Sequence, residues 1–146
     1  MKYTSIVCGV TGSKHAQKAA LEAAALAKEH GARLTYVYAV DAGFVKGSVG
    51  GLSTGLAEDG LARLGDHILD YAAELAQAQG VSPKKIVRRG AVLEVLKEVM
   101  KEEKGDLLVL GHEEKSFFDR LRFKDGVEDH IEELKQQTGA QVTVIR

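Results

Sequence analysis

Residues Asp106-Leu-Leu-Val-Leu-Gly111-His-Glu-Glu-Lys-Ser116 have the pattern of a buried strand that ends at a glycine and opens into a polar loop. Residues Ser5-Ile-Val-Cys-Gly-Val-Thr-Gly12-Ser13 repeat this pattern ahead of a long helical segment. In an open parallel sheet, loops that leave the carboxyl ends of neighbouring strands flank the crevice in which ligands bind. The two segments therefore predict a single ligand site at one edge of a sheet.

Strands and helices alternate along the rest of the chain. Apolar patterning and turn residues predict strands over 2–10, 32–40, 85–88, 106–110 and 141–145, and helices over 13–30, 61–80, 91–104 and 127–138. The second helix is predicted from an apolar repeat of Leu61, Leu64, Ile68, Tyr71 or Ala72, and Leu75. This order is typical of a doubly wound α/β domain, an open parallel sheet with helices on both faces. Between the second strand and the second helix, six glycines within 41–60 predict a mobile loop, above all over 43–55.

Composition limits the class of protein. The chain has 146 residues, of which 45% are hydrophobic and 28% charged, so we expect one globular domain over 1–146. The net charge of -1, without clusters of Lys or Arg, argues against a nucleic acid partner. No apolar run reaches the roughly 20 residues that cross a bilayer, so we expect a cytoplasmic protein without membrane insertion. The single cysteine, Cys8, lies in the first strand and is interpreted as a core residue.

Five short motifs, in order along the whole chain, carry a family resemblance. They are Val10-Thr11-Gly12-Ser13, Glu29-His30-Gly31-Ala32, Ala39-Val40, Gly90, and Asp106-Leu-Leu-Val-Leu-Gly111. Together they resemble a universal stress protein domain. The resemblance implies a Rossmann-like fold, related to the adenine nucleotide α-hydrolases, with sheet order 3-2-1-4-5, and usually a homodimer.

The resemblance also implies a nucleotide site, from which this chain departs. ATP-binding members carry Gly-x-x-Gly, nine further residues, and then Gly-Ser or Gly-Thr. Here Gly111 matches, but Glu114 occupies the second glycine position and Gly126 lies one residue beyond the final pair. Glycines let the backbone approach a phosphate, and a carboxylate repels it, so we expect a degenerate ATP site. The residues that would contact a retained nucleotide are Val10, Thr11, Ser13, Val40, Gly111, His112, Lys115, Ser116 and Gly126.

The same segments carry residues that suit two other ligands, a cyclic dinucleotide and a metal ion. Thr11-Gly12-Ser13, with Thr35 and Tyr38, resembles the motif pair of family members that bind a cyclic dinucleotide. His112 could bind a metal ion together with His130 or Asp129, but a solvated loop explains these residues better. Neither a P-loop, a Gly-x-Gly-x-x-Gly motif nor a nucleophile elbow occurs, so we expect no catalytic residues, no metal and no required cofactor.

Function is therefore expected to depend on protein contacts. Phe117, Phe118 and Phe123 follow the fourth strand, where they would either cover the core or anchor a partner. The fifth strand, Gln141-Val142-Thr143-Val144-Ile145, is β-branched and lies at the sheet edge, which favours a homodimer assembled through it. We expect a non-enzymatic regulatory domain that acts through dimerisation and an unidentified protein partner. The alternatives are a stress sensor that binds ATP or a cyclic dinucleotide and, from another class, an α-hydrolase-like enzyme.

Overall fold

A computed structural model describes residues 3–10, 14–40, 54–111 and 131–145, and for 14–15 and 54–58 it describes the backbone alone. Five strands alternate with four helices in these ranges. They are β1 (Ser5–Gly9), α1 (Lys14–His30), β2 (Arg33–Val40), α2 (Thr54–Ala78), β3 (Lys84–Arg89), α3 (Val92–Glu102), β4 (Leu107–Gly111), α4 (Ile131–Thr138) and β5 (Gln141–Ile145). Most boundaries lie within two residues of those predicted. The first strand begins three residues later, and 127–130, predicted as helix, lie outside the described ranges.

All five strands form one parallel sheet in the order β3-β2-β1-β4-β5. This confirms the predicted doubly wound topology. β1 lies at the centre, where Cys8 stands opposite Tyr36 of β2 and Val109 of β4. The chain passes from β1 to β2 and β3 on one side, whereas the later strands β4 and β5 lie on the other side of β1. This change in strand order places a crevice at the carboxyl ends of β1 and β4.

Each face of the sheet packs on its own pair of helices. Alternate residues of a strand point to opposite faces, so Ile6 and Cys8 pack against α1 and α2, whereas Val7 packs against α3 and α4. The central strands are buried on both faces, as a parallel sheet requires. Their apolar runs are the reason that sequence periodicity predicts them well.

The helix α2 corrects one prediction from the sequence. It begins at Thr54, so 54–60, which the glycine content predicted as part of a mobile loop, are helical, while 41–53 lie outside the described residues. Two helical glycines, Gly55 and Gly60, each cost about 1 kcal/mol relative to alanine. Extending a helix that is already formed costs little. Because α2 is anchored by its packing on β2 and β3, it tolerates both glycines.

The buried face of α2 is formed only in part by the apolar repeat that predicted the helix, through Ala72. Leu64 and Tyr71 of that repeat are 50% and 51% exposed. The face that contacts the sheet instead carries mainly small residues, namely Gly65, Leu69, Ala72, Ala73 and Ala76. A Cβ at Gly65 would lie only 2.9 Å from Cγ of Tyr38 on β2, so the missing side chain is what allows the helix to approach the sheet there.

At the amino ends of the central strands, Asp106, which precedes β4, binds the residues at the start of β1. Its carboxylate accepts hydrogen bonds from the Thr4 N–H (2.8 Å), the Thr4 hydroxyl (3.1 Å) and the Ser5 N–H (3.0 Å). Partial burial alone would raise the pKa of Asp106, but these hydrogen bonds outweigh it and hold the pKa below its ordinary value. The carboxylate therefore fixes the start of both central strands.

Candidate functional site

The carboxyl ends of the central strands meet as the sequence predicts. Continuing the register of Cys8 opposite Val109 brings Val10 beside Gly111, at the edge where the crevice lies. Val40 ends β2 on the other side, where its carbonyl accepts a hydrogen bond from the Gly90 N–H at 2.8 Å. The side chains of Val10 and Val40 are both buried. These three candidates thus supply an apolar floor and a backbone edge to the crevice.

The polar candidates predicted at this edge lie outside the described residues, together with Gly126. They are Thr11, Ser13, His112, Lys115 and Ser116. The three phenylalanines and the candidate metal ligands Asp129 and His130 also lie outside the described residues. Their roles remain predictions. Of the cyclic dinucleotide candidates, Thr35 is buried within β2, and Tyr38 is half-buried under α2 with its pKa raised by desolvation. Neither side chain is freely presented to a ligand.

Two other kinds of chemistry can be assessed from the described residues. Within 3–10, 16–40, 59–111 and 131–145, no group of three or more His, Cys, Asp or Glu side chains is arranged to hold a metal ion. Cys8 is completely buried, and desolvation raises the pKa of its thiol far above the ordinary value. A thiol that stays protonated is a poor nucleophile, so Cys8 acts as a core residue.

The sheet edge formed by β3 is strongly basic and is paired with acids of the flanking helices. Lys85 Nζ lies 2.6 Å from Asp70 of α2, Lys84 pairs with Glu103, Arg88 pairs with Glu98 and Glu102, and Arg89 pairs with Asp59. The hydrogen bond to Glu102 is the main cause that raises the pKa of Arg88 and lowers that of Glu102. Charged side chains along an edge strand discourage another strand from pairing with it.

The opposite edge, β5, carries no charged side chain. In the described part of the chain β5 pairs with β4 alone. Gln141 donates its N–H to the Asp106 carbonyl at 3.2 Å, and successive residues of a strand point their N–H groups to opposite sides. The N–H groups of Thr143 and Ile145 therefore face β4, whereas those of Val142 and Val144 face outwards. Among the described residues, no strand pairs with these two outward N–H groups.

A comparison with protein families identifies the chain. The model of the universal stress protein family matches residues 2–146, which is nearly the whole sequence. The chain belongs to the universal stress protein family. No curated protein matches the chain. The family resemblance predicted from the five sequence motifs is thereby confirmed.

Solved structures of stress proteins share the fold. The universal stress protein UspA from Lactobacillus plantarum superposes with a TM-score of 0.78 at 23% identity, and the match covers 100% of this chain and 99% of that protein. A family member from Burkholderia pseudomallei gives a TM-score of 0.73 at 24% identity, with 98% and 96% covered. A universal stress protein solved in complex with cAMP gives 0.70 at 22% identity, with 100% and 98% covered. At these identities the likeness establishes the fold and leaves the ligand open.

Two features of the structure, the charged edge strand β3 and the exposed apolar residues of α2, are absent from the predictions made from the sequence. The Lys84-Lys85-Ile86-Val87-Arg88-Arg89 segment carries four basic residues around two apolar ones, a pattern typical of a protected edge strand. That pattern could have predicted that the β3 edge of the sheet is protected from pairing with another strand. The exposure of Leu64 and Tyr71 could not have been predicted, because periodicity reveals an apolar stripe without revealing what covers it.

In the described ranges no helix has both the length and the apolar character needed to span a membrane.

Proposed function

We propose that this chain is a non-enzymatic regulatory domain of the universal stress protein family that dimerises through β5 and acts through protein partners. The observation that carries the proposal is the contrast between the two sheet edges. All four basic side chains of β3 are paired with acids, whereas β5 has no charge and directs two N–H groups outwards. Members of the family often form dimers, which supports the same assignment.

A two-fold axis beside β5 would pair the strand with its own copy in antiparallel fashion. Val142 and Val144 would each exchange backbone hydrogen bonds with the second copy, and the two sheets would continue as one. Gln141 and Thr143 are exposed and uncharged, so no like charges meet across the axis. The dimer would leave the basic β3 edges at its two ends.

The test is to replace Val144 with proline and measure mass by sedimentation equilibrium. Proline lacks an N–H and is tolerated on an edge strand where that N–H faces solvent. Val144→Pro therefore removes an outward donor while leaving every β4–β5 hydrogen bond in place. The matched control is Val144→Ala, which shortens the side chain but keeps the donor. Thr143→Pro is unsuitable as the test, because the Thr143 N–H faces β4 within the same chain.

We expect the wild type and Val144→Ala to sediment as dimers and Val144→Pro to sediment as a folded monomer, with its circular dichroism unchanged. A wild type that is monomeric at tens of micromolar would end the proposal. So would a Val144→Pro variant that remains dimeric, because the interface would then lie elsewhere.

A nucleotide-binding stress sensor is the second candidate. It is favoured by the adjacency of Val10 and Gly111 at the carboxyl edge and by the relative solved with cAMP. The two candidates differ in calorimetric titration with Mg-ATP and with cAMP. The regulatory proposal with a degenerate site expects flat titrations, because Glu114 and the displaced Gly126 remove the phosphate-binding backbone. Micromolar affinity that is weakened by Gly111→Ala would favour the sensor instead.

A further inference from the structure

A cavity of about 210 Å³ opens between α1 and α2. Its floor is formed by Val10, Ala20 and Ala72, all of which are buried. The two alanines face each other across the gap between the helices, so neither side chain is long enough to fill it. Protein interiors are otherwise packed to a density that leaves few voids larger than a water molecule. The cavity is therefore a consequence of small residues on both helices.

The apolar repeat that predicts α2 from the sequence lines this cavity. Ile68, Tyr71 and Leu75 form its wall, and Tyr71 stands at the mouth with half of its surface exposed. Among the described residues of these two helices, Leu21 and Leu64 are also large, apolar and exposed, but neither lines the cavity. The repeat therefore divides its residues between the core, to which Ile68 and Ala72 contribute, and an apolar surface that is available to a ligand at Tyr71.

Two polar side chains at the mouth define what that ligand must present. Gln17 and His67 are exposed and line the opening. An amide and an imidazole both offer hydrogen-bonding groups to a ligand. Among the described lining residues there is no Lys, Arg, Asp or Glu. A ligand with a formal charge would find no counter-ion in this part of the site, which favours an uncharged molecule with a hydrogen-bonding edge.

The volume sets the size of the ligand. An apolar cavity of roughly 150 Å³ takes up benzene, so 210 Å³ provides room for one aromatic ring and part of a second. Pockets for drug-sized molecules start at roughly 300 Å³. A nucleoside triphosphate is therefore too large, and its phosphates would lack partners among the lining residues.

We propose that the cavity binds a small, uncharged aromatic molecule of one or two fused rings with a hydrogen-bonding group at one edge. The rings would rest on Ala20 and Ala72 and contact the ring of Tyr71, while the polar edge would reach Gln17 or His67. This site lies in the α1–α2 layer, so it does not depend on dimerisation through β5. Among the described residues it shares Val10 with the crevice, and its other lining residues belong to α1 and α2.

The test uses indole and benzimidazole as probes of the full chain, labelled with ¹⁵N and followed by NMR titration. We expect saturable shifts of the amides of Gln17, Ala20, Tyr71 and Ala72. Tyr71→Ala should weaken both probes by about two- to tenfold, because it removes an aromatic contact. Leu64→Ala is the matched control, since Leu64 is equally exposed on the same helix but does not line the cavity.

Two further variants distinguish binding in the cavity from nonspecific binding of the probes to the protein surface. Ala72→Leu fills the floor and should abolish the saturable shifts while the chain stays folded by circular dichroism. If Ala72→Leu does not fold, Gln17→Leu at the exposed mouth should weaken benzimidazole binding without disturbing the core. The absence of saturable shifts up to the solubility limit would overturn the proposal. So would shifts centred at Gly111, or an equal loss of affinity in Tyr71→Ala and Leu64→Ala.

Discussion

Replacing Asp106 tests whether the amino edge of the sheet stabilises the central strands as its geometry indicates. Asp106→Ala removes acceptors from three donors, but their costs differ. Thr4 is exposed, so water replaces both of its hydrogen bonds. Ser5 is buried, and leaving its N–H without a partner costs about 1–3 kcal/mol. We therefore expect Asp106→Ala to lower the free energy of unfolding by about 2 kcal/mol, nearly all of it through Ser5.

The charge of Asp106 adds a pH dependence whose sign follows from its lowered pKa. The ordinary pKa of aspartate is about 3.9, and the folded value lies below it, so the carboxylate stabilises the fold above that range. The contribution is lost as the pH falls through the folded pKa. Urea unfolding of the wild type and Asp106→Asn should therefore give a difference that is constant near pH 7 and shrinks below about pH 4. A difference independent of pH, or an Ala variant within about 0.5 kcal/mol of the wild type, would refute the reasoning.

Two further predictions concern packing on the α1–α2 side of the sheet. Gly65→Ala should destabilise the protein by about 1–3 kcal/mol, because its Cβ would collide with Tyr38, whereas Gly60→Ala on the same helix meets nothing within 4 Å and should stabilise it by up to about 1 kcal/mol. Thermal unfolding of the two variants compares them directly, and equal effects would contradict the predicted contact. Cys8 should react with a thiol reagent only as fast as the protein unfolds, since it is buried and its pKa is raised. Rapid labelling of Cys8 in the native protein near neutral pH would instead show that β1 opens without global unfolding.

Most of the architecture follows from sequence periodicity, because the buried strands leave little ambiguity. The apolar runs of β1 and β4 and the glycines after the helices predict the order of elements and the doubly wound sheet. The sheet order came from the family resemblance, since spacing alone does not decide which strands are neighbours. The start of α2 was missed because glycines weaken helix propensity locally, whereas packing on the sheet decides the outcome.

The candidate site is predicted less completely than the fold, for a physical reason. The alignment of Val10 with Gly111 follows from parallel pairing, and the sequence anticipates it. The direction of each N–H on β5 depends on the register in which β5 pairs with β4, with Leu107 opposite Gln141 and Gly111 opposite Ile145. A shift of one residue would exchange inward and outward donors. The sequence could therefore predict the edge but not which residue to replace in testing it.

The two helical layers differ in a way that explains where a small ligand could enter. The layer of α3 and α4 packs Val, Leu and Met side chains onto the sheet. The layer of α1 and α2 contacts the sheet largely through alanines, which brings α1 close enough for the Tyr36 hydroxyl to donate to the Ala20 carbonyl at 2.7 Å. Close approach to the sheet uses small residues, and small residues cannot also close the gap between the two helices. The same alanines that hold this layer against the sheet therefore leave the cavity between its helices.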